Sequence, residues 1–430
     1  MIARLTRIRM FAGCALFALA LGGLSAFAPS LALAQQAGRL PIAAATSRPV
    51  AQGPAAQDLT QVTTSDAPRG SLLGPSSAPA KDAPRVASLP PVAKQFLAAV
   101  RANFSQWDRN HDGVLTREEI ELDMQDARIT GEAAAALAAL KIAATQTDEL
   151  AETRTFSTAD IDDIERGLGE GRRLDTTFII YFSVALKKLD ETPRELFAQG
   201  LPHLTAMRQY FTSDCYFLSA VGAIAETNPT TLVRLVTPDS DGFYMVRFPG
   251  QAAVRVSAPT DSEIAAYTAA KDGLWLSVLQ KAYATVRIRM EPKEATTRQP
   301  LDSVGFRTGS TGVMELFTGH ASRAIRLGAE SEKGATGPMV AQVRTALRAA
   351  FREHRAVTAS KNHHAYAITA YDAAADRVTV HNPYNSSGSE TLSEGDKISR
   401  DSDGFFTIST AQLAKAFFYM RIEQGGRVGS

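Results

Sequence analysis

Ser213-Asp214-Cys215-Tyr216-Phe217-Leu218-Ser219-Ala220-Val221 follows a polar loop and opens an apolar run, so a helix is expected to start here with Cys215 in its first turn. The unpaired N–H groups and positive dipole end of such a turn favour a thiolate. A lone cysteine among apolar residues can equally be a small buried side chain, so the reading turns on what surrounds it. Gln209 stands just upstream, where its amide could come round the loop to the atom a thiolate attacks and, with the Cys215 N–H, form a two-donor oxyanion hole. A nucleophilic thiol needs a base, and the base needs a group that fixes its tautomer. His363-His364-Ala365-Tyr366 opens one strand-like stretch and His381-Asn382-Pro383-Tyr384 closes the next, with a hairpin through Asp372 to Asp376 between them. Two neighbouring strand ends would then present His364 and Asn382 side by side. His363 and His381, each next to one of these residues along a strand, are expected to face the other way.

Further out, helical patterns at 213–226, 274–288, 312–326 and 339–353 alternate with strand-like stretches at 243–247, 252–257, 365–371, 377–381 and 404–408. Helices come first and strands predominate late, which argues an α+β domain. Cys, His and Asn in that order, helix first and strands later, make the papain-like arrangement. The resemblance narrows further, because the chain looks like the protease core of the calpain family. It rests on Gly200-Leu-Pro202, Gln209, Asp214 to Leu218, Pro259-Thr260, Leu274 to Ala284, Glu315 to Gly319, His364-Ala365-Tyr366, Asn382-Pro383-Tyr384 and Asp403 to Phe406, in the family's order. What the resemblance implies is a cysteine endopeptidase of two subdomains, one helical and one β-rich, over about 190–424. Cys215 would be the nucleophile, His364 the general base and acid, Asn382 the orienter and Gln209 an oxyanion donor. The family usually has Gly-Asp-Cys-Trp, Gly-His-Ala-Tyr and Asn-Pro-Trp-Gly, where this chain has Ser213, Tyr216, His363, Tyr384 and Asn385. The aromatic expected to shield the His–Asn hydrogen bond is therefore a smaller one.

Ahead of this region, Phe96, Val100 and Phe104 share one helical face, and Trp107 leads into Asp108-Arg-Asn110-His-Asp112-Gly113-Val114-Leu115-Thr116-Arg-Glu-Glu119. This is the calcium-loop pattern: side-chain oxygens from Asp108, Asn110 and Asp112, a turn at Gly113, the Val114 carbonyl, Thr116 directly or through water, and a bidentate Glu119. Hard oxygen ligands in this order suit Ca2+. Thr116 and Glu119 also have capping-box spacing, which starts the exit helix inside the loop with Ile120 and Met124 on its apolar side. A second loop at 147–160 lacks the ligand series, although Phe156 could still make the small β-contact with Leu115. Residues 92–170 are thus expected to be a small all-α EF-hand module.

The chain has 430 residues with 46 Lys+Arg against 45 Asp+Glu. Residues 1–34 read as a signal peptide: Arg4, Arg7 and Arg9, an apolar stretch from Phe11 to Ala28, and Ala32-Leu33-Ala34 as cleavage site. Removing them takes three arginines and no acid, leaving 43 basic against 45 acidic side chains, so no electrostatic case for nucleic acid or an anionic membrane remains. No further apolar run is long enough to span a bilayer. The product is expected to be periplasmic or secreted, with Cys215 its one thiol and no internal disulfide. Residues 35–91 carry nine of the 20 prolines and read as a disordered linker. The expected function is a calcium-binding thiol endopeptidase acting on a protein or peptide. The alternatives are a catalytically silent calcium-dependent binding protein on the same fold, and a thioester-forming acyltransferase. Substrate preference and oligomeric state are not readable.

Overall fold

The computed structural model describes residues 89–145, 154–290, 300–305, 312–330, 334–393 and 396–425. The signal segment, and the linker apart from Leu89, Pro90 and Pro91, lie outside the described residues. Helix α1 (Pro91–Trp107) begins with proline at its first position and buries Phe96, Val100, Phe104 and Trp107 along one stripe. After the Asp108–Thr116 loop, strand β1 (Val114–Leu115) leads into α2 (Arg117–Asp123) and α3 (Gly131–Thr145). Helix α3 is alanine-rich and buried from Ala134 to Ala144 on every side, as befits a helix surrounded by others. Strand β2 (Phe156–Ser157) pairs antiparallel with β1, Leu115 opposite Phe156. Helix α4 (Thr158–Glu170) is capped by Ser157 and Asp160, and α5 (Arg173–Glu191) packs Phe178 and Phe182 against Phe96.

The helical part of the second half holds α6 (Cys215–Thr227), α7 (Pro229–Leu235), β3 (Val236–Pro238), β4 (Phe243–Val246), β5 (Val254–Ser257), α8 (Asp261–Ala266), α9 (Trp275–Met290) and α10 (Val313–Thr318). Strands β3, β4 and β5 form a small antiparallel sheet in that order. The β-rich part follows: β6 (Ser322–Arg326), α11 (Gly337–Arg352), β7 (Val357–Lys361), β8 (His364–Asp372), β9 (Arg377–His381), β10 (Gly388–Ser393), β11 (Asp396–Arg400), β12 (Phe405–Ser409), α12 (Thr410–Ala416) and β13 (Tyr419–Glu423). Six of these strands form one antiparallel sheet in the order β12-β9-β8-β7-β13-β6, while β10 and β11 make a separate hairpin.

Alternation along β8 decides how the two halves meet. Tyr366 and Ile368 face a core shared with α11 and α12. Ala365 and Ala367 face the other core, which also holds Phe217, Val221 and Ile224 of α6. Methyl side chains on that face let α6 lie close to the strand, and the same contact carries its N-terminus to the start of β8. This second core is continuous with the N-terminal helices: Phe96, Trp107, Leu115, Leu137 and Phe156 belong to it together with Phe217 and Trp275.

The α+β expectation agrees with this architecture, with two local differences. The 312–326 pattern is not one helix, because Gly319 takes a left-handed φ of 75° and ends α10, and β6 follows. Pro249 would also stand 2.7 Å from a Cβ at that position, so glycine is required twice over. Helix α5, whose Phe178, Phe182 and Ala185 recur at helical spacing, is absent from the sequence reading.

Candidate active site

The N-terminus of α6 is built around Asp214. Its carbonyl accepts the N–H groups of Phe217 and Leu218 at 2.9 and 3.0 Å, which starts the helix and makes Cys215 its first residue. Asp214 is the N-cap by position, yet its side chain caps nothing. The carboxylate turns inward, where Oδ2 accepts the Thr268 hydroxyl and Gln280 Nε2, the latter at 2.9 Å, and Oδ1 has no partner. The first-turn N–H groups of Cys215 and Tyr216 are thereby left to the sulfur.

The hairpin between β7 and β8 brings the base. Lys361 pairs with His364, so Asn362 and His363 alone make the turn, at left-handed φ values of 49° and 61°. Two positive φ angles match the right-handed twist of the flanking strands. His363 is therefore a turn residue and not, as alternation suggested, the opposite face of a strand. Its carbonyl oxygen lies 4.0 Å from Cys215 Sγ, and the Ala365 N–H also bonds the sulfur. The thiol rests against the peptide units on either side of His364.

His364 Nε2 lies 3.0 Å from Asn382 Oδ1, and the Tyr384 N–H donates to the same oxygen at 3.0 Å. Asn382 Nδ2 donates to Glu390 Oε1. An acceptor-only carboxylate on one side and two donors on the other leave the amide a single orientation. Nε2 therefore carries the ring proton, and Nδ1 keeps its lone pair. Tyr384 stacks on the imidazole at 4.8 Å and 12°, and Tyr366 meets it edge-on at 4.8 Å and 89°. Tyrosine thus covers the ring, although Tyr384 is itself 42% exposed. Burial holds the His364 imidazole below its usual pKa, partly offset by the Asn382 hydrogen bond and the Glu390 charge. Burial also pushes the Cys215 thiol up; the Ala365 N–H opposes this and the Asp214 charge adds to it.

Gln209 is buried, and its backbone N–H donates to Pro383 O at 2.7 Å, tying it to the residue after Asn382. Its Nε2 gives one hydrogen to Thr212 O at 2.8 Å. Its Oε1 is buried without a hydrogen-bond partner. His381 is buried beside Phe405, its Nε2 3.2 Å from Asn385 Oδ1, and burial pushes its pKa down to about 4. It stays neutral and supports the loop that follows Asn382. Glu390, Arg400 and Tyr366 complete the surroundings: Glu390 Oε1 also accepts Arg400 Nη1, and Oε2 accepts the Tyr366 hydroxyl at 3.1 Å. Glu390 and Arg400 escaped the sequence reading because nothing in the plain strand pattern of β10 and β11 singles them out.

A thiol at a helix start, with an imidazole and an amide at two strand ends, is the geometry expected from the family resemblance, and the sequence profile described as calpain family cysteine protease matches residues 186–420. The chain belongs to the calpain family. The matched region of this calpain-family chain runs from within α5 to within β13 and includes Gln209, Cys215, His364, Asn382, Glu390 and Arg400. It is a cysteine peptidase domain, a hydrolase by family, on a mixed helix and sheet fold. No curated protein matches the chain significantly.

The calcium-loop pattern of this calpain-family chain lies ahead of the matched region. Asp108 Oδ1 and Oδ2 accept the N–H groups of Asp112 and Gly113 at 3.2 and 2.9 Å. Asn110 Oδ1 accepts Asp112 N–H at 2.9 Å, and Asp112 Oδ1 accepts Val114 N–H at 2.8 Å. Glu119 reaches back across the loop to Arg109 N–H at 3.0 Å and caps α2 with Thr116. Donor types and order fit a hard cation, and Glu119 already draws the two loop ends together. Each of these oxygens is directed at a loop N–H, and among the described residues no metal-holding group of three His, Cys, Asp or Glu side chains is gathered.

Proposed function

We propose that the chain is a calcium-binding cysteine endopeptidase in which Cys215, His364 and Asn382 act as a triad. The observation that carries this reading is the His364 Nε2–Asn382 Oδ1 contact of 3.0 Å beside a thiol seated at a helix N-terminus. The tautomer set by Asn382 leaves Nδ1 to take the Cys215 proton. The thiolate attacks the peptide carbonyl carbon, and the oxygen, now negative, is received by the Cys215 N–H and the second hydrogen of Gln209 Nε2. The imidazolium gives its proton to the amine nitrogen as the C–N bond breaks, leaving a thioester on Sγ. His364 then takes a proton from water, the hydroxide oxygen adds to the thioester carbon, and C–S cleavage frees the acid product and restores the thiolate–imidazolium pair. Asn382 holds the ring through each transfer, and the Tyr384 stack keeps water from the His–Asn bond.

The test is the pH dependence of Cys215 alkylation by iodoacetamide. A rate that persists to about pH 5 and collapses in His364→Ala supports the pair. A rate that rises only near the ordinary thiol pKa of about 8.5 selects the second reading, a catalytically silent binding protein on the same fold. That reading is favoured by the upward push of burial on the thiol. Transfer of the thioester to an amine instead of water is separated by identifying the products.

Asp108, Asn110, Asp112, Thr116 and Glu119 side chains with the Val114 carbonyl would hold Ca2+, whose charge would supply the attraction that loop N–H groups supply here. Glu119→Gln is expected to abolish calcium binding by calorimetry. If the variant keeps both its turnover and its calcium dependence, the regulatory role is wrong and the ion only braces the fold. The signal-type composition of residues 1–34 supports a periplasmic or secreted enzyme. Sequencing the N-terminus of protein recovered from outside the cytoplasm should find Gln35 first; a start at Met1 would refute it.

A further inference from the structure

We infer that Glu390 is a positioning residue for the base, acting through Asn382, and that the β10–β11 hairpin exists at this place to hold it. The inference rests on the triad reading above and extends it to a residue outside the three. An asparagine amide offers a hydrogen-bond acceptor on one side and a donor on the other, and the two faces are nearly the same shape. If it turned over, Nδ2 would face His364 Nε2, the ring proton would move to Nδ1, and the lone pair that takes the thiol proton would be lost. Glu390 Oε1 accepts Nδ2 and so excludes that state. Its second oxygen receives the hydroxyl of Tyr366, whose ring stands edge-on to the His364 ring with the ring centres 4.8 Å apart. Glu390 thus reaches the imidazole by two routes, one through its hydrogen-bond partner and one through its packing partner.

The hairpin itself is arranged around this carboxylate. Glu390 is buried, on β10, and Arg400, at the far end of β11, meets the same oxygen that takes Nδ2. Arg400 Nε also holds the Ser386 carbonyl at 3.2 Å, which closes the base of the hairpin against the loop after Asn382. Lys361, the last residue of β7, donates to the Thr391 and Leu392 carbonyls, the latter at 3.1 Å, and fixes β10 to the hairpin that carries His364. A buried carboxyl group bonded to a guanidinium and aimed at the Asn382 amide is more than packing requires, since burying the pair costs desolvation that an apolar pair would avoid. The negative charge also favours the imidazolium, so it should increase the share of thiolate–imidazolium over the neutral pair.

The experiment compares wild type with Glu390→Gln, Glu390→Asp, Asn382→Ala and the double variant Glu390→Gln/Asn382→Ala. Turnover on fluorescein-labelled casein and the pH profile of iodoacetamide alkylation are measured on chains whose melting confirms folding. Glu390→Gln should lower kcat about 10–100-fold with KM little changed. Its alkylation plateau between about pH 5 and 7 should fall while the rate above about pH 9 stays the same. Glu390→Asp should recover part of the loss. In the Asn382→Ala background, Glu390→Gln should cost no more than about two-fold, because its effect passes through an amide already removed. Wild-type turnover and plateau in Glu390→Gln, or losses that multiply in the double variant, would overturn the proposal and leave the triad standing. A wild-type chain with no low-pH plateau would overturn the triad and this assignment together.

Discussion

At the scale of single residues, the Asp214 charge next to Cys215 bears on how readily the thiol ionises. Burial raises Asp214 to about 6 and lowers Lys188 to about 7, and Lys188 Nζ is held by the Ala265 and Tyr267 carbonyls, at 2.9 Å for Ala265. A carboxyl whose folded pKa exceeds its unfolded value favours folding below about 3.9, and that contribution is lost as pH rises through about 6. Asp214→Asn should therefore melt higher than wild type at pH 8, with the gain vanishing near pH 4, as thermal scans at several pH values would show. The same change removes a charge that raises the thiol, so Cys215 alkylation at neutral pH should quicken. Tyr384→Ala exposes His364 to water and should let its pKa climb back toward the ordinary value. It should lower kcat about 3–10-fold, the worth of one aromatic stack, and Tyr384→Trp should restore it. The placement of Cys215, His364 and Asn382 was legible because each stands at a boundary with its own local signal: a helix start, a hairpin start, a strand end. Glu390 and Arg400 carry no such signal. They matter only once β10 and β11 have folded back beneath Asn382, a contact between parts of the chain that no spacing announces.

At the scale of elements, the short strands count for more than their length. Leu115 opposite Phe156 is the one β-pair of β1 and β2 that lies wholly in the core, and Phe156 meets Phe178 of α5 at 6.0 Å, edge to face. Phe156→Ala should destabilise the chain by about 3–5 kcal/mol in urea melts, and loosen the calcium loop that β1 closes. The sequence reading found this pair because Phe156 stands out in a polar stretch. Helix α5 is not singled out because Ile179, Ile180 and Val184 stand between its buried Phe178, Phe182 and Ala185 and blur the helical period, and α10 runs into β6 in the pattern because a period of 3.6 continues for a turn across Gly319. Both errors have one origin: periodicity marks a buried face without marking where the backbone turns.

At the scale of the molecule, the calcium-loop helices and the peptidase region are joined by charge as well as by a common core. Asp302 receives Lys141 at 2.6 Å, Arg117 at 3.0 Å and the Tyr267 hydroxyl at 2.5 Å, and Glu121 completes the group. Arg117 lies two residues before Glu119. Two residues after Asp302, the Val304 carbonyl accepts the Tyr216 hydroxyl at 2.9 Å, next to the nucleophile. Asp302→Asn should destabilise the fold by about 1–3 kcal/mol, because the buried Lys141 is left with Glu121, at 3.3 Å, as its carboxylate partner. At a temperature where the variant is still folded, it should also weaken any dependence of turnover on calcium, read as the ratio of rates with and without the ion. The sequence separated residues 92–170 from 190–424 by composition and motif; that one apolar core crosses this boundary was not legible, since no linear pattern records which helix faces which.

The pairings across that boundary join residues 185 and 161 positions apart. Contacts of such separation close late in folding, because the loop entropy is lost before the contact is made. As the chain is synthesised, α1 to α5 can pack on one another, but the side of α3 that meets α8 stays uncovered until α8 has emerged, and Lys141 lacks Asp302 until later still. A nascent fragment ending before residue 300 should be held by chaperones or aggregate, and it should have no alkylation plateau at low pH. A peptidase assembled in this order has no stage at which its nucleophile is active on an unfinished chain.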